Sequence, residues 1–259
     1  MRPSASSRRD FLKTAAFTAG AGIPIADIVA SVFEDADDDG ADFLLAADRV
    51  VLFQGDSITD AGREKEKQEP NAGRSLGNGY VSLAAAQLLA MQPRANWQCY
   101  NRGISGNKVY QLAERWEADC MDLQPHVLSI LIGVNDFWHK LNGNYDGTPE
   151  IYERDYRALL DRTKAALPGV RLILCEPFAV EGGTAINETW HPEFDAYQAA
   201  AKRIADDYKA QWVPYQKLFD AALKKAPASY WCPDGVHPAP PGNYLMAEAW
   251  LKAFKKASR

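Results

Sequence analysis

The sequence predicts an α/β fold in which one parallel sheet lies between two layers of helices. From Arg49 onward, short apolar runs alternate with longer amphipathic segments, and this alternation is typical of a parallel sheet with helices on both faces. The composition, 47% hydrophobic and 24% charged residues, is that of a soluble globular protein. The roughly 210 residues that follow Arg49 suit a single domain of this class.

The first 30 residues have the composition of a targeting segment. Residues 7–13 read SRRDFLK, and a mildly apolar run rich in Ala, Gly and Thr follows as far as about Phe33. This order resembles a bacterial twin-arginine export signal, which implies export to the periplasm or beyond through the twin-arginine machinery. A membrane-spanning helix is the alternative, but Pro24 and Asp27 interrupt the run, so stable membrane insertion is not expected. Ala30 marks a possible cleavage point.

Residues 31–48 carry a dense acidic stretch, EDADDDGAD over positions 34–42. Like charges packed so closely repel one another, so we interpret this segment as a solvated linker between the signal and a domain over residues 49–259. A calcium-binding loop is the more specific alternative, although the spaced ligands and the terminal glutamate of such loops are missing.

Five short segments rich in β-branched or aromatic residues are the strand candidates. Their continuous apolarity indicates strands that are covered on both faces. They are residues 49–54, 97–101, 127–132, 170–175 and 211–214.

Between these strands the apolar residues recur at helical spacing. Thr148 is a predicted N-cap, Pro149 occupies the first helical position, Glu150 adds an acid to the first turn, and a Pro-Gly pair at 168–169 ends the helix. The same helical pattern is found at residues 80–91, 108–120, 193–208 and 243–256.

The charge and the cysteine and histidine content limit the kinds of partner and bound metal that the sequence predicts. The net charge is −5 and the basic residues are scattered, so no nucleic-acid partner is expected. The four cysteines and four histidines show neither a CxxC pair nor HExxH spacing, and the sequence therefore predicts no metal site. An exported chain could form one or two disulfides, and the sequence does not choose among the three full pairings that four cysteines allow.

Polar and glycine-rich turns follow the predicted strands, where ligands of parallel sheets bind. Ser57 stands in a Gly-Asp-Ser turn after the first strand, where a nucleophile is accessible, and Gly106 lies in a loop after the second, where a backbone amide can approach an oxyanion. Each signal alone is also explained by an ordinary turn, helix cap or flexible loop.

Two further turns carry complementary groups. Asn135 follows the third strand and can present its side-chain NH₂ to developing negative charge. His237 precedes the last predicted helix and can accept a proton at neutral pH, while Asp234, three residues earlier, can orient its ring. Asn and Asp are also common in turns, and an isolated DxxH spacing is not specific.

Together these four blocks, in this order, resemble the SGNH hydrolases, also called GDSL esterases, over about residues 49–256. The resemblance implies a flavodoxin-like, three-layer α/β/α fold with five parallel strands and a serine hydrolase that needs no cofactor. It implies Ser57 as nucleophile, His237 as base and Asp234 as the third triad member. The implied oxyanion donors are the Ser57 amide, the Gly106 amide and the Asn135 side chain.

Longer motifs narrow the substrate. Residues 54–63, 76–80, 101–107 and 176–178 are similar to bacterial GDSL proteins grouped with carbohydrate acetylesterases, which implies removal of acetyl groups from xylan or a related glycan. A lysophospholipase or thioesterase is the alternative, and a catalytically inactive glycan-binding module is a third possibility. Aromatic side chains in the loops suit sugar stacking. The candidate substrate-binding residues are Asp60, Trp138, Phe178, Trp190 and Trp231, with Phe137 and His139 as further pocket candidates.

Overall fold

The computed structural model describes residues 25–33 and 49–257. The strands are β1 (Val50–Gly55), β2 (Gln98–Asn101), β3 (Val127–Leu131), β4 (Arg171–Cys175) and β5 (Gln211–Val213). The helices are α1 (Ile25–Val32), α2 (Ser57–Asp60), α3 (Gly73–Leu76), α4 (Tyr80–Met91), α5 (Val109–Glu114), α6 (Val134–Leu141), α7 (Pro149–Ala166), α8 (Glu193–Asp207), α9 (Tyr215–Leu223), α10 (Ala228–Trp231) and α11 (Pro240–Ala257). A π-helical turn covers Glu117–Met121.

The five strands form one parallel sheet in the order β2-β1-β3-β4-β5. This is the flavodoxin-like order, in which the chain reverses direction across the sheet between β1 and β3. The prediction of a three-layer α/β fold with five parallel strands is confirmed. Each observed strand lies within one or two residues of its predicted bounds because the buried strands are continuous apolar runs.

Helices cover both faces of this sheet. Helices α4 and α11 pack together on one face, while α7 packs against α5 and α8 on the other. Two buried tryptophans make polar contacts in the core. Trp250 on α11 donates a hydrogen bond to Ser129 on β3 at 2.9 Å, and Trp116, which follows α5, donates to Thr163 on α7 at 2.9 Å. Polar contacts thus join helix to sheet and helix to helix in addition to the apolar packing.

The predicted helix boundaries hold where capping signals are strong. Thr148 caps α7 by accepting a hydrogen bond from the Ile151 amide, with Pro149 in the first position. The predicted helix over 108–120 is instead broken at Arg115, whose φ and ψ of −109° and 9° leave the α-helical region, and the chain continues as the π-helical turn. The Arg115 guanidinium bonds the Arg102 carbonyl and Asp119 here, which holds the break in place.

Helix α1 packs against α9 and α11 and buries Ile28, Val29 and Val32. Lys252 and Lys256 of α11 lie over the Phe33 ring at 5.0 and 5.5 Å. The helix crosses the boundary that we predicted between a signal and a linker, whereas residues 1–24 and 34–48, with the twin-arginine motif and the acidic run, lie outside the described residues. Within the described ranges no helix combines the length and apolarity needed to cross a membrane.

All four cysteines are buried, and all four are free thiols. Burial raises the pKa of Cys99, Cys120 and Cys175 to about 12 and that of Cys232 higher still. The question of disulfide pairing, left open by the sequence, is therefore answered: this fold is held together without a disulfide among these residues. Suppressed thiolate character also makes the four side chains poor nucleophiles.

Candidate active site

The nucleophile candidate Ser57 occupies the first position of α2, directly after β1. The turn is sharp because Asp56 is fully buried and its carboxylate accepts a hydrogen bond from the Ile58 amide at 3.0 Å, which caps the helix. The Ser57 amide lies in the first turn, where backbone N–H groups have no partner within the helix. Ser57 therefore presents both a hydroxyl and a backbone donor at the carboxyl edge of the sheet.

The Ser57 hydroxyl lies 2.8 Å from Nε2 of His237, 180 residues further along the chain. Nδ1 of the same ring lies 2.6 Å from Asp234 Oδ2. The other carboxylate oxygen, Asp234 Oδ1, accepts hydrogen bonds from the backbone amides of Val236 at 2.9 Å and His237 at 2.7 Å. Burial alone would raise the pKa of Asp234, but these hydrogen bonds with His237 and Val236 lower it, so the carboxylate stays ionised.

The loop that carries this pair is braced from one side. Backbone hydrogen bonds join Val180 to Gly235, Thr184 to Pro233 and Ala185 to Asp234. A Cβ atom on Gly183 would lie only 2.2 Å from the Gly235 amide nitrogen, so only glycine permits the two backbones to approach this closely. The position of His237 therefore depends on the 180–186 segment, which the sequence motifs did not indicate.

The loop of residues 102–107 brings Gly106 to the same edge. Its Ile104 amide donates to the carbonyl of Gly55, two residues before Ser57. Gly106 adopts φ +81°, a conformation that favours glycine. Asn135, at the start of α6, is buried and its side-chain NH₂ lies 3.3 Å from the Asn107 carbonyl. The structure thus gathers Ser57, Gly106 and Asn135, which come from three different strand ends.

A buried asparagine positions this loop and was not among the predicted site residues. The Asn101 NH₂ donates to the carbonyls of Thr59 at 2.6 Å and Leu76 at 2.8 Å, and its oxygen accepts from the Gly103 amide at 2.8 Å. Asn101 therefore links the Ser57 helix to the 102–107 loop. Its place at the end of a predicted strand, next to the glycine loop, was the signal available in the sequence.

Asp60 has a different role from the expected contact with substrate. Its side chain is 1% exposed, and Oδ2 accepts hydrogen bonds from the Ser105 amide at 3.0 Å, the Ser105 hydroxyl at 2.7 Å and the Lys65 ammonium at 2.9 Å. Burial works to raise the pKa of Asp60, but the bonds from Lys65 and Ser105 lower it. Asp60 is a positioning residue that fixes the residue next to Gly106.

We expect Asp60→Asn to lower kcat for an aryl acetate about tenfold with KM nearly unchanged, because a looser 102–107 loop weakens only contacts made in the transition state. Steady-state kinetics at saturating substrate measures this split. Lys65→Met, which keeps the carboxylate and removes only its half-exposed cation partner, is the matched control and should show a smaller loss. An unchanged kcat in Asp60→Asn would contradict the positioning role.

Three of the aromatic residues expected to stack on a sugar are core residues instead. Trp190 and Phe178 are fully buried, and Trp231 is 5% exposed with its indole N–H bonded to the Ala222 carbonyl at 3.0 Å. Trp190 packs against Phe137 at 5.1 Å between ring centroids, and Phe178 packs against Phe219 at 4.7 Å. Trp138 alone of the predicted aromatics is partly exposed. The 176–192 segment folds back over the sheet edge and Trp231 ends α10, so the three rings fill the protein interior.

Two buried carboxyl groups lie beneath the site. Burial raises the pKa of Asp56 to about 7, and burial together with the neighbouring Asp56 charge raises that of Asp136 to about 7. Asp136 Oδ1 accepts a hydrogen bond from the Val109 amide at 3.2 Å, while Oδ2 has no partner among the described residues. Burial also raises the pKa of Glu176, at the end of β4, to about 7.

We expect the melting temperature to fall as pH rises from about 4 to 7, by roughly 3 °C per pH unit for each such carboxyl. The folded state keeps these groups protonated in that window while the unfolded state ionises, so stability present below pH 4 is lost through pH 7 and then levels off. Calorimetry across this range measures the slope, and Asp136→Asn should reduce it. A melting temperature that rises with pH in this window would contradict the prediction.

Among the described residues, no group of three or more His, Cys, Asp or Glu side chains is placed to hold a metal ion. The functional groups of the site are a hydroxyl, an imidazole and a carboxylate in one hydrogen-bonded chain, with amide donors beside the hydroxyl. That combination at the carboxyl edge of a parallel sheet is typical of the serine hydrolases. This arrangement differs from that of the α/β-hydrolases, whose serine stands in a G-x-S-x-G elbow. Here Ser57 stands in a Gly-Asp-Ser turn, and Asp234 lies only three residues before His237.

Comparison with known proteins specifies the family within this class. Residues 53–245 match the GDSL-like lipase/acylhydrolase family, and the chain belongs to that family. It is 34% identical over 206 residues to an acetylxylan esterase of Geobacillus stearothermophilus, a match that covers 78% of this chain and 92% of that protein. The chain is a carboxylic ester hydrolase, as the sequence predicted.

Solved structures agree with this assignment. A GDSL-like lipase of Parabacteroides merdae is 51% identical, with a TM-score of 0.80 over 83% of this chain and 99% of that chain. The Geobacillus acetylxylan esterase is 34% identical, with a TM-score of 0.72 over 81% and 95% of the two chains. Catalytic mutants of that esterase have alanine in place of a serine, a histidine or an aspartate, and the aspartate precedes the histidine by three residues.

Proposed function

We propose that this protein removes acetyl groups from xylan or a related acetylated glycan, with Ser57 as nucleophile, His237 as general base and Asp234 as the orienting acid. The observation that carries the proposal is the unbroken hydrogen-bonded chain from Ser57 through His237 to Asp234, with distances of 2.8 and 2.6 Å. The same three residue types are altered in the catalytic mutants of the similar acetylxylan esterase, in the same relative spacing of acid and base.

In the first half of the reaction, His237 Nε2 takes the Ser57 proton while the serine oxygen attacks the acetyl carbonyl carbon. The carbonyl oxygen becomes an oxyanion, and we assign its stabilisation to the Ser57 and Gly106 amides and the Asn135 side chain. Collapse of this intermediate breaks the ester bond. His237 then gives its proton to the departing sugar oxygen, which leaves Ser57 acetylated.

In the second half, His237 accepts a proton from water, and the resulting hydroxide attacks the acetyl carbonyl of the acyl-enzyme. The same donors hold the second oxyanion, and the proton on His237 returns to the Ser57 oxygen as acetate leaves. Asp234 stays ionised throughout and stabilises the imidazolium that forms twice in each cycle. Its two amide hydrogen bonds hold the carboxylate in place during these transfers.

The test is acetate release from a panel of acetylated polysaccharides, compared with 4-nitrophenyl esters from acetate to octanoate. We expect acetate to be released from acetylated xylan and activity on the aryl esters to decline with chain length. A preference for octanoate would instead favour a lysophospholipase or thioesterase. Sugar binding without ester turnover would identify a glycan-binding module.

We also propose that residues 1–30 direct export through the twin-arginine pathway. The support is the SRRDFLK motif and the weakly apolar run behind it. Replacing Arg8 and Arg9 together by lysine, in a bacterial host that has this pathway, should leave the enzyme in the cytoplasmic fraction, whereas the unaltered chain should appear outside it. Export of the double variant at an unchanged level would overturn this proposal. Sequencing the mature amino terminus then shows whether the cut falls within α1.

A further inference from the structure

A second histidine lies beside the 102–107 loop. His139 is four residues after Asn135 on α6, and residues at this spacing project from the same face of a helix. A Cβ atom built on Gly106 would lie 3.9 Å from Cε1 of His139. The His139 ring, which is partly exposed, therefore borders the position of the proposed oxyanion donors without being one of them.

Lys108 determines how this ring is protonated. Its ammonium lies 3.0 Å from Nδ1 of His139, and because an ammonium group has only donors, Nδ1 must accept. The ring hydrogen is then on Nε2, which has no hydrogen-bond partner among residues 25–33 and 49–257. Burial and the Lys108 charge lower the pKa of His139, so the ring remains neutral and keeps one N–H group to donate.

Two tyrosines continue this surface. Tyr110 and Tyr145 stack with ring centroids 5.6 Å apart and an interplanar angle of 25°. The Lys108 ammonium lies 5.6 Å from one ring centroid and 5.4 Å from the other, so its charge is already engaged by aromatic faces and by His139. Tyr110 is 36% exposed. The tyrosine rings therefore form an accessible aromatic surface next to the Nε2–H donor of His139, while the Lys108 ammonium lies in the interior.

We propose that His139, Tyr110 and Tyr145, supported by Lys108, form the subsite for a neutral pyranose ring next to the ester that is cleaved. His139 Nε2–H donates to a ring hydroxyl, and the tyrosines contact the apolar C–H face of the sugar. This inference rests on the proposed function, because it gives the acetylated glycan its place in the site. It also supplies the aromatic contact that Trp190, Trp231 and Phe178 cannot provide from the core.

The experiment compares kcat/KM on acetylated xylo-oligosaccharides with kcat/KM on 4-nitrophenyl acetate, which has no sugar. In His139→Ala and Tyr110→Ala the ratio of the two values should fall about tenfold, mainly through a higher KM for the oligosaccharide. His139→Gln, which retains an N–H donor, should recover part of the loss. Tyr244→Ala removes another exposed tyrosine, from α11, and should leave the ratio unchanged. An unchanged ratio in the first two variants overturns the subsite while leaving the proposed function intact.

A binding measurement distinguishes failure of the proposed function from failure of the subsite. Calorimetric titration of Ser57→Ala with unacetylated xylo-oligosaccharides needs no turnover, and adding His139→Ala should raise Kd at least about fivefold. If the wild-type enzyme releases no acetate from any glycan but this loss of binding is seen, the proposed function fails and the subsite stands. If Ser57→Ala binds no oligosaccharide, or binds it equally well without His139, the subsite is overturned.

Discussion

Ser57→Ala should lower kcat/KM for 4-nitrophenyl acetate by at least about 10⁴-fold. The hydroxyl is the atom that forms the acyl-enzyme, and the water that replaces it has no covalent link to the chain and no fixed position beside His237. The residual rate comes from the oxyanion donors, which stay in place when one oxygen is removed.

Folding should be unaffected by this change, because among the described residues the Ser57 side chain has one hydrogen-bond partner, the ring of His237, and it lies at the surface end of α2. Stopped-flow or initial-rate assays measure the loss, and thermal melting checks the fold. Ser229→Ala, which removes an exposed hydroxyl on α10, is the matched control and should keep full activity. Retention of more than about one per cent of the activity in Ser57→Ala would sink the proposed mechanism.

Asp234→Asn is expected to cost about 10⁴-fold in kcat, nearly as much as loss of the nucleophile. The carboxylate accepts three hydrogen bonds, two from backbone amides on Oδ1 and one from the His237 ring on Oδ2. An asparagine has one oxygen and one NH₂ group. With its oxygen held by the two amides, the NH₂ faces Nδ1, and the ring hydrogen must move to Nε2.

His237 then presents a donor to Ser57 where a base is required, and the developing imidazolium loses its counter-charge. Because the two hydrogen bonds from the backbone amides survive, the variant should melt within a few degrees of the wild type. The loss of activity would then not be explained by a loss of stability. Asp220→Asn, a change of the same kind on α9, is the control. Activity of Asp234→Asn within tenfold of the wild type would show that another group orients His237.

The sequence was sufficient for the five strands and for α7 because the signals that specify them are local. Strands β1 and β3 are uninterrupted apolar runs, and α7 has a cap, a first-position proline and a Pro-Gly stop, each readable from a few adjacent residues. The turns after the strands were equally readable, since a parallel sheet brings its carboxyl ends to one edge. Ser57 and His237 are 180 residues apart, and His237 lies between α10 and α11 rather than at a strand end, so their pairing was implied by the family resemblance and not by the sheet topology.

Contacts between loops were not readable in the same way. Trp190 and Phe178 fall in loops, and nothing in their spacing shows that the 176–192 segment folds back so that Trp190 joins Phe137 and Phe194 in the core. The carboxylate of Asp60 looked available because it follows the nucleophile turn, whereas its burial depends on Ser105 and Lys65, 45 and five residues away. Lys108, at the start of α5, and His139, on α6, meet for the same reason, because no periodic pattern in the sequence relates these two helices.

The four buried thiols give this enzyme built-in chemical reporters of local opening. Cys99 lies on the edge strand β2, Cys175 on the inner strand β4, Cys120 in the π-helical turn, and Cys232 two residues before Asp234. A thiol reagent reaches each one only when the segment around it opens. Labelling rates read by mass spectrometry therefore rank the opening free energies of the sheet edge, the sheet centre and the catalytic loop in the unmodified protein.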